Sequence, residues 1–519
     1  MQKPSKFTLL LLMFLFALSY VGAQEIKSSE DKALKEITVE DAKKHLNYLA
    51  SNELKGREAG SEEGKKAADY IAKHFKDNGI IPAGDKKTYF QTVPGLGKPS
   101  FDPNNNHFKI WTAGKDAEEP FIEECEFDKE YSPMGYVSSA EINAQIVFAG
   151  YGITAPELKY DDYDGVNVKD KIVIMFRYVP KYGQEDNQFQ GASYNHAYFH
   201  AKLANAMKHG AKAVLMINPP GNDSGISSPG RSGYARAGNI PLIQITQELG
   251  NKLLQGTGKT VKSVYEAINK KEKPESFEIR FRKIQVKIEN TRSAGQNVIG
   301  MIEGSDEKLK DEIIFVGAHY DHIGMGYFGS RIGAEGRGKI HFGADDNASG
   351  TVGVMALAKA FAALKPMTKR TLVFALWDGE EKGLVGSSFF VENPTIELKN
   401  VVAYINFDMI GRLREDKISA IGTGSSEKWE ELINGVNKEF SFKIGFSKNP
   451  FGGSDQVSFA RYKIPVIFFI TGGHPEYHTP KDTADKINYE GIVKVSKFTF
   501  KLMLKLAQAD EKLMKWDMK

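Results

Sequence analysis

LVFALWDGEEKGLVGS, Leu372–Ser387, is an apolar run that ends in an acidic turn. No charged residue interrupts Leu372–Trp377, and strands that read this way are buried on both faces, as in a parallel sheet covered by helices. Asp378, Glu380 and Glu381 then fall within four positions. Adjacent like charges repel. A solvated turn tolerates that cheaply, whereas a cation held between the carboxylates removes the penalty. The surrounding sequence separates the two readings.

The same texture recurs outward from that stretch. NVIGMIEG (Asn297–Gly304), EIIFVGAH (Glu312–His319), VVAYINFD (Val401–Asp408) and IPVIFFITGG (Ile464–Gly473) are further near-continuous apolar runs. Helical segments lie between them, one starting near Ser349 and one following Ser425, and Ile492, Val495, Phe498 and Leu502 keep helical spacing near the C-terminus. This alternation predicts an α/β domain with a mostly parallel central sheet, in which ligands gather beyond the carboxyl ends of the strands.

The residues at those ends are of one chemical kind. EIIFVGAH ends at His319, with Asp321 two residues on; Leu372–Trp377 leads to Glu380 and Glu381; VVAYINF leads to Asp408; and the last run leads to HPEYHTPKDT, with His474 and His478. GADDNASG (Gly343–Gly350) sets Asp345 and Asp346 ahead of a helix start. Singly, each has an ordinary explanation: a structural histidine, a capping acid, a surface turn. Four strand ends that all carry histidine or carboxylate toward one side of a sheet do not. Histidines and carboxylates without a thiolate are the ligand set of hydrolytic zinc. A carboxylate can bridge two metals about 3.5–4 Å apart, and another can take the proton from a metal-activated water. In that reading one of the adjacent glutamates is a ligand and its neighbour is the base.

The rest of the chain bounds the answer. Its 519 residues exceed one ordinary core. The net charge of +3 is small, and no basic stripe is interleaved with aromatics, so nucleic acid is not an expected partner. Lys3 and Lys6 precede the apolar run Phe7–Leu18, and Val21-Gly22-Ala23 follows. That pattern predicts a secretory signal peptide over residues 1–23, too short for a membrane span. An exported protein, periplasmic or extracellular, with no stable membrane anchor after cleavage is expected. Cys125 is the single cysteine, so there is no internal disulfide and any metal site must use histidine and carboxylate. Thr38 and Ser61 are predicted caps of two N-terminal helices. The short runs AQIVFAGYGI (Ala144–Ile153), DKIVIMFRYV (Asp170–Val179) and AKAVLMINPP (Ala211–Pro220) predict a separate β-rich module. A Gly-rich loop, Met325–Phe342, contains the phosphate-loop-like spacing Gly333–Lys339. Ile340 stands where that motif needs a hydroxyl, so no nucleotide site is expected.

GAHYDHIG, GADDNASG, WDGEEKGLVGS, NFDMIGR and YHTPKDT, in that order, resemble the motifs of the di-zinc exopeptidases, a group that includes bacterial leucyl aminopeptidases and the glutamate carboxypeptidase and transferrin receptor relatives. The resemblance covers roughly residues 38–90 and the chain from Gln296 onward, and the β-rich module resembles the protease-associated domain that many members insert. It implies a three-layer phosphorylase/peptidase-like α/β sandwich. The expected division is an N-terminal part of the peptidase domain with its lead-in over 24–135, a protease-associated insert over 136–285 and the zinc peptidase domain over 286–519. It implies two zinc ions, with His319 and Asp408 on one, Glu381 and His478 on the other, and Asp346 bridging. Glu380 would be the general base, and Asp321 would orient His319. The implied reaction is hydrolysis of peptide substrates at a chain terminus, with aminopeptidase as the first expectation. A carboxypeptidase of the same fold, with Arg412 a candidate for the terminal carboxylate, a glutaminyl-cyclase-like enzyme and a non-catalytic binding relative are the alternatives. In GGSDQVSF (Gly452–Phe459), Gln456 stands where relatives often have histidine, a departure that bears on the substrate pocket.

Overall fold

The computed structural model describes residues 28–518 apart from 113–120, 135–138, 191–194, 222–224, 227–239 and 366. The expected signal peptide lies outside the described residues. The chain forms two compact units, one running to Gly97 and again from Ser293 to Lys519, the other Lys98–Arg292.

The first unit is built on one twisted sheet. Its strands in chain order include β1 (Gly295–Ile302), β2 (Ile313–His319), β3 (Thr371–Trp377), β4 (Val401–Phe407), β5 (Lys417–Ile421), β6 (Lys443–Ser447) and β7 (Val466–Ile470). They lie side by side in the order β1-β3-β2-β4-β7-β5-β6, with the short strands Ile81–Pro82 and Phe90–Val93 both pairing with β1. The central four, β3-β2-β4-β7, are parallel to one another. Farther out the sheet is mixed: β1 runs antiparallel to β3, β5 runs antiparallel to β7, and β6 is parallel to β5. The parallel character expected from the apolar runs thus belongs to the centre, where both faces are covered.

Alternate residues of each central strand feed two different cores. On β3, Leu372, Phe374 and Leu376 pack into one cluster, and Val373, Ala375 and Trp377 into another. The first face is covered by helices α1 (Val39–Leu49), α2 (Glu62–Asp77), α3 (Gly350–Ala363) and α7 (Tyr489–Gln508). The second is covered by α4 (Val385–Glu392) and α6 (Gln456–Ala460), through Phe390 and Phe459; α5 (Lys428–Asn437) adds Trp429 to the first core. This is the three-layer sandwich. The predicted caps are in place: the Thr38 and Ser61 hydroxyls accept from the backbone N–H groups of Asp41 and Gly64 at 3.1 and 3.0 Å. No helix among the described residues is long and apolar enough to cross a membrane.

The second unit has its own eight-stranded sheet and core. Strand Ala140–Ala149 and the strands Ile172–Phe176, Ala213–Ile217 and Leu242–Ile245 are parallel neighbours. The long strand Ser276–Ile288 pairs antiparallel with Ala140–Ala149 and with His107–Thr112. Tyr131–Pro133 closes the other edge against Leu242–Ile245. The second compact unit, Lys98–Arg292, is wider than the 136–285 expected for the insert. The reason is pairing: His107–Thr112 and Tyr131–Pro133 have partners more than a hundred residues later. Cys125 is buried in this core as a free thiol.

Candidate metal centre

Strand register carries the functional residues to one place. His319 is the last residue of β2 and lies opposite Trp377, the last residue of β3, so the turn bearing Glu380 and Glu381 emerges beside it. Gly317 pairs with Asn406 on β4, which brings Asp408 level with them. Asp346 comes from the loop ahead of α3. That loop is pinned twice: the Asp482 carboxylate accepts from the N–H groups of Asp345 and Asp346 at 2.9 and 3.1 Å, and the Asn347 side chain donates to Phe407 O at 2.9 Å and accepts from Met409 N–H at 3.2 Å. Gly343 opens the loop at φ +58°, a left-handed conformation that glycine adopts without cost.

Two groups of donors result. His319, Glu380 and Asp408 form one; His322, Asp346, Glu381 and His478 form the other, and within each group the potential ligand atoms lie within 4.8 Å of one another. Asp346 spans them. Its Oδ1 is 3.4 Å from His319 Nε2 and its Oδ2 is 3.0 Å from His478 Nε2. His319 Nε2 is also 3.4 Å from Asp408 Oδ1, and His478 Nε2 is 3.1 Å from Glu381 Oε2. Both rings are oriented from behind. His478 Nδ1 donates to Gly329 O at 2.9 Å, and His319 Nδ1 faces Asp321, 3.2 Å from its backbone oxygen and 3.5 Å from its carboxylate. Asp321 also accepts from the Glu380 N–H at 3.1 Å, so one carboxylate steadies both a histidine and the acidic turn.

The residues fit a metal. His319 Nε2, Asp346 Oδ2 and Asp408 Oδ1 are buried and have no hydrogen-bond partner. Buried polar atoms are otherwise almost always paired, and here they point at common centres. The donors are nitrogen and oxygen without sulfur, in a buried carboxylate-rich cluster, which suits zinc.

Electrostatics separates the adjacent glutamates. Burial pushes the Glu380 carboxyl well up, helped by Glu381 and Asp408 and opposed by His319. Burial also acts on Glu381, but His322 and His478 outweigh it and hold that carboxyl below its usual value. Asp346 is held far down, despite burial, by His319 and His478. His478 is pushed up to about 11: burial alone would lower it, and the nearby Asp346 and Glu381 carboxylates prevail.

All seven residues read from sequence as the site, Glu380, Asp321, His319, Asp346, Glu381, Asp408 and His478, meet here. His474 and Asp345 pair with each other at 3.2 Å, and neither is among the two donor groups. Arg412 lies 3.4 Å from Asp482 and 3.7 Å from Glu476. Gln456 is buried and donates to Gly452 O at 2.6 Å, bracing the turn ahead of it.

Two contributors were not singled out by sequence. His322 was passed over within HYDH. Arg57 lies between the two N-terminal helices, outside every motif. It is fully buried, and its guanidinium donates to the carbonyls of Tyr320 at 2.8 Å, Phe342 at 2.8 Å and Gly343 at 2.9 Å, as well as to Leu49. Burial lowers its pKa to about 10, with Asp321, Asp346, Asp482 and Glu381 opposing the shift. It fixes a positive charge behind the carboxylates and ties the N-terminal segment to the Asp346 loop. Arg57→Met removes that charge and leaves the carbonyls unpaired, and thermal or urea unfolding is expected to show a loss of about 3–5 kcal/mol.

Comparison with known proteins agrees with this geometry. Residues 297–503 match the model of peptidase family M28, and residues 136–253 match that of the PA domain. The chain is similar to aminopeptidase YwaD of Bacillus subtilis, 28% identical over 310 residues that cover 57% of each protein. It is similar to leucine aminopeptidase 2 of Trichophyton rubrum, 27% identical over 70% of this chain and 67% of that protein. The match thus spans little more than half the length of the bacterial relative. The fold resembles that of an aminopeptidase from Aneurinibacillus sp. strain AM-1, with a TM-score of 0.51 at 23% identity over 94% of this chain and 98% of that one. Sandwich, donor set and family model thus converge on the same region, with residues 297–503 similar to peptidase family M28 and residues 136–253 similar to the PA domain.

Proposed function

We propose that this chain is an exported zinc aminopeptidase that removes N-terminal residues from peptides. The observation that carries the reading is the placement of Asp346 between His319 and His478, with Glu380 beside the first group and Glu381 within the second. His319, Asp408 and Asp346 would hold one zinc ion, and Asp346, Glu381 and His478 a second. Bound zinc would supply Lewis acidity toward the scissile carbonyl and acidify a water.

The chain's own residues do the rest. Glu380 takes the water proton on its carboxylate and hands it to the leaving amine nitrogen, a transfer suited to its place beside His319 and Asp408. Asp321 keeps the His319 ring and the Glu380 backbone in place during that exchange. The turns Gly379–Gly383 and Gly343–Asp346 fix the carboxylates before substrate arrives, so little reorganisation is left for the reaction.

Polarity follows from charge. A carboxypeptidase needs a cation for the terminal carboxylate. Arg57 is committed to backbone carbonyls, Arg412 to Asp482 and Glu476, and Lys382 donates to Ala59 O and Leu96 O and lies 3.7 Å from Glu58. Carboxylates predominate around the donors, and they suit the ammonium of a free N-terminus. Both curated relatives named above are called aminopeptidases. Export is supported by the basic and apolar N-terminal pattern of residues 3–23. The test is an assay of the zinc-loaded protein on matched short peptides with free and blocked N-termini. Cleavage confined to free N-termini is expected; release of C-terminal residues from blocked peptides would reverse the polarity.

A further inference from the structure

His322 is fully buried at the metal centre, and none of the roles above uses it. Its backbone N–H donates to Arg57 O at 3.2 Å, and its ring packs so closely on Gly343 that a Cβ there would sit 2.5 Å from it. The ring is thereby aimed. Nδ1 lies 2.6 Å from Glu381 Oε1 and 3.7 Å from Asp346 Oδ2, while Nε2 is buried without a hydrogen-bond partner.

Two roles are open to a histidine so placed: ligand to the second zinc, or partner of Glu381. Distances decide between them. Two donors each about 2.0–2.2 Å from a tetrahedral zinc stand roughly 3.3–3.5 Å apart. His478 Nε2 keeps 3.0 and 3.1 Å from Asp346 Oδ2 and Glu381 Oε2, close to that spacing. His322 Nδ1 at 2.6 Å from Glu381 Oε1 is well inside it, at the length of a charge-assisted hydrogen bond. A lone pair on Nδ1 would repel the carboxylate at that distance, so Nδ1 carries the proton.

We propose that His322 is a positioning residue: it donates Nδ1–H to Glu381 Oε1 and so leaves Oε2 as the single atom Glu381 offers to the second zinc. Glu381 would then offer the ion one oxygen rather than two. The partner hydrogen bond also fixes the carboxylate's direction, the role usually played by groups behind a metal ligand.

This rests on the zinc reading above and deepens it. The test measures stepwise zinc affinity of the full chain by competition with a chromophoric chelator, in the wild type and in His322→Asn and His322→Leu. Asparagine places an amide N–H near the Nδ1 position; leucine keeps bulk without a donor. The expected result is two zinc ions bound at saturation in all three, with the second held about 10–100-fold more weakly in His322→Leu and within about threefold of wild type in His322→Asn. Should the leucine variant not fold, His322→Ala reads the same loss. Unchanged affinity in the donor-free variant overturns the proposal, and so does a donor-free variant that takes up one ion at any concentration, because His322 would then be a ligand itself. A wild-type chain that binds no zinc overturns the metal-centre reading instead, which keeps the two failures apart.

Discussion

Glu380→Gln is expected to lower kcat by about 10²–10⁴-fold on any peptide the wild type cleaves, with zinc content and KM little changed. Glutamine keeps the shape and the backbone N–H that Asp321 accepts at 3.1 Å, so the turn should not move. What it removes is the proton carrier. Zinc alone can acidify a water, but the leaving amine must still gain a proton, and Glu380 is the carboxyl beside His319 and Asp408. Measured kcat and KM with metal analysis on the same sample check this. A variant that retains more than about a tenth of wild-type kcat would assign the base elsewhere.

Asp346→Asn should have the larger effect, because both halves of the centre depend on that carboxylate. Its two oxygens face different histidines, Oδ1 toward His319 and Oδ2 toward His478. An amide presents one oxygen and one N–H donor, so one side would lose a ligand and gain a donor directed at a cation site. Activity is expected to fall by more than about 10⁴-fold, beyond the range of a single proton-transfer group. Excess zinc should recover little of it, which separates lost geometry from weak loading. The fold should survive, since the anchors of this loop are Asp482 and Asn347 rather than the Asp346 side chain.

What could be read from sequence follows physical lines. The central strands were legible because burial on both faces demands unbroken apolarity, as in Leu372–Trp377 and Ile313–His319. The clustering of the candidate donors was legible because strand ends in such folds point to one side, and few surface explanations put histidine or acid at four of them. Strand direction at the sheet margins was not: Val298–Ile302 is as apolar as the central strands, yet it runs antiparallel to β3. Nor was the extent of the second unit, because His107–Thr112 and Tyr131–Pro133 gain their meaning from partners near residues 282–287 and 243–245. Arg57 looked like part of a turn because its partners are backbone carbonyls, which leave no residue-type signature. His322 was hidden by its neighbours: a second histidine in HYDH reads as redundant until the 2.6 Å contact to Glu381 is seen.

The central claim is a centre for two zinc ions that share Asp346. It is tested most directly by metal analysis of the purified chain after zinc loading and desalting, for the wild type beside Asp346→Asn. The account predicts about two zinc ions per wild-type chain and at most one in the variant. A wild type that retains none, or a variant that holds two as firmly as the wild type does, would contradict it.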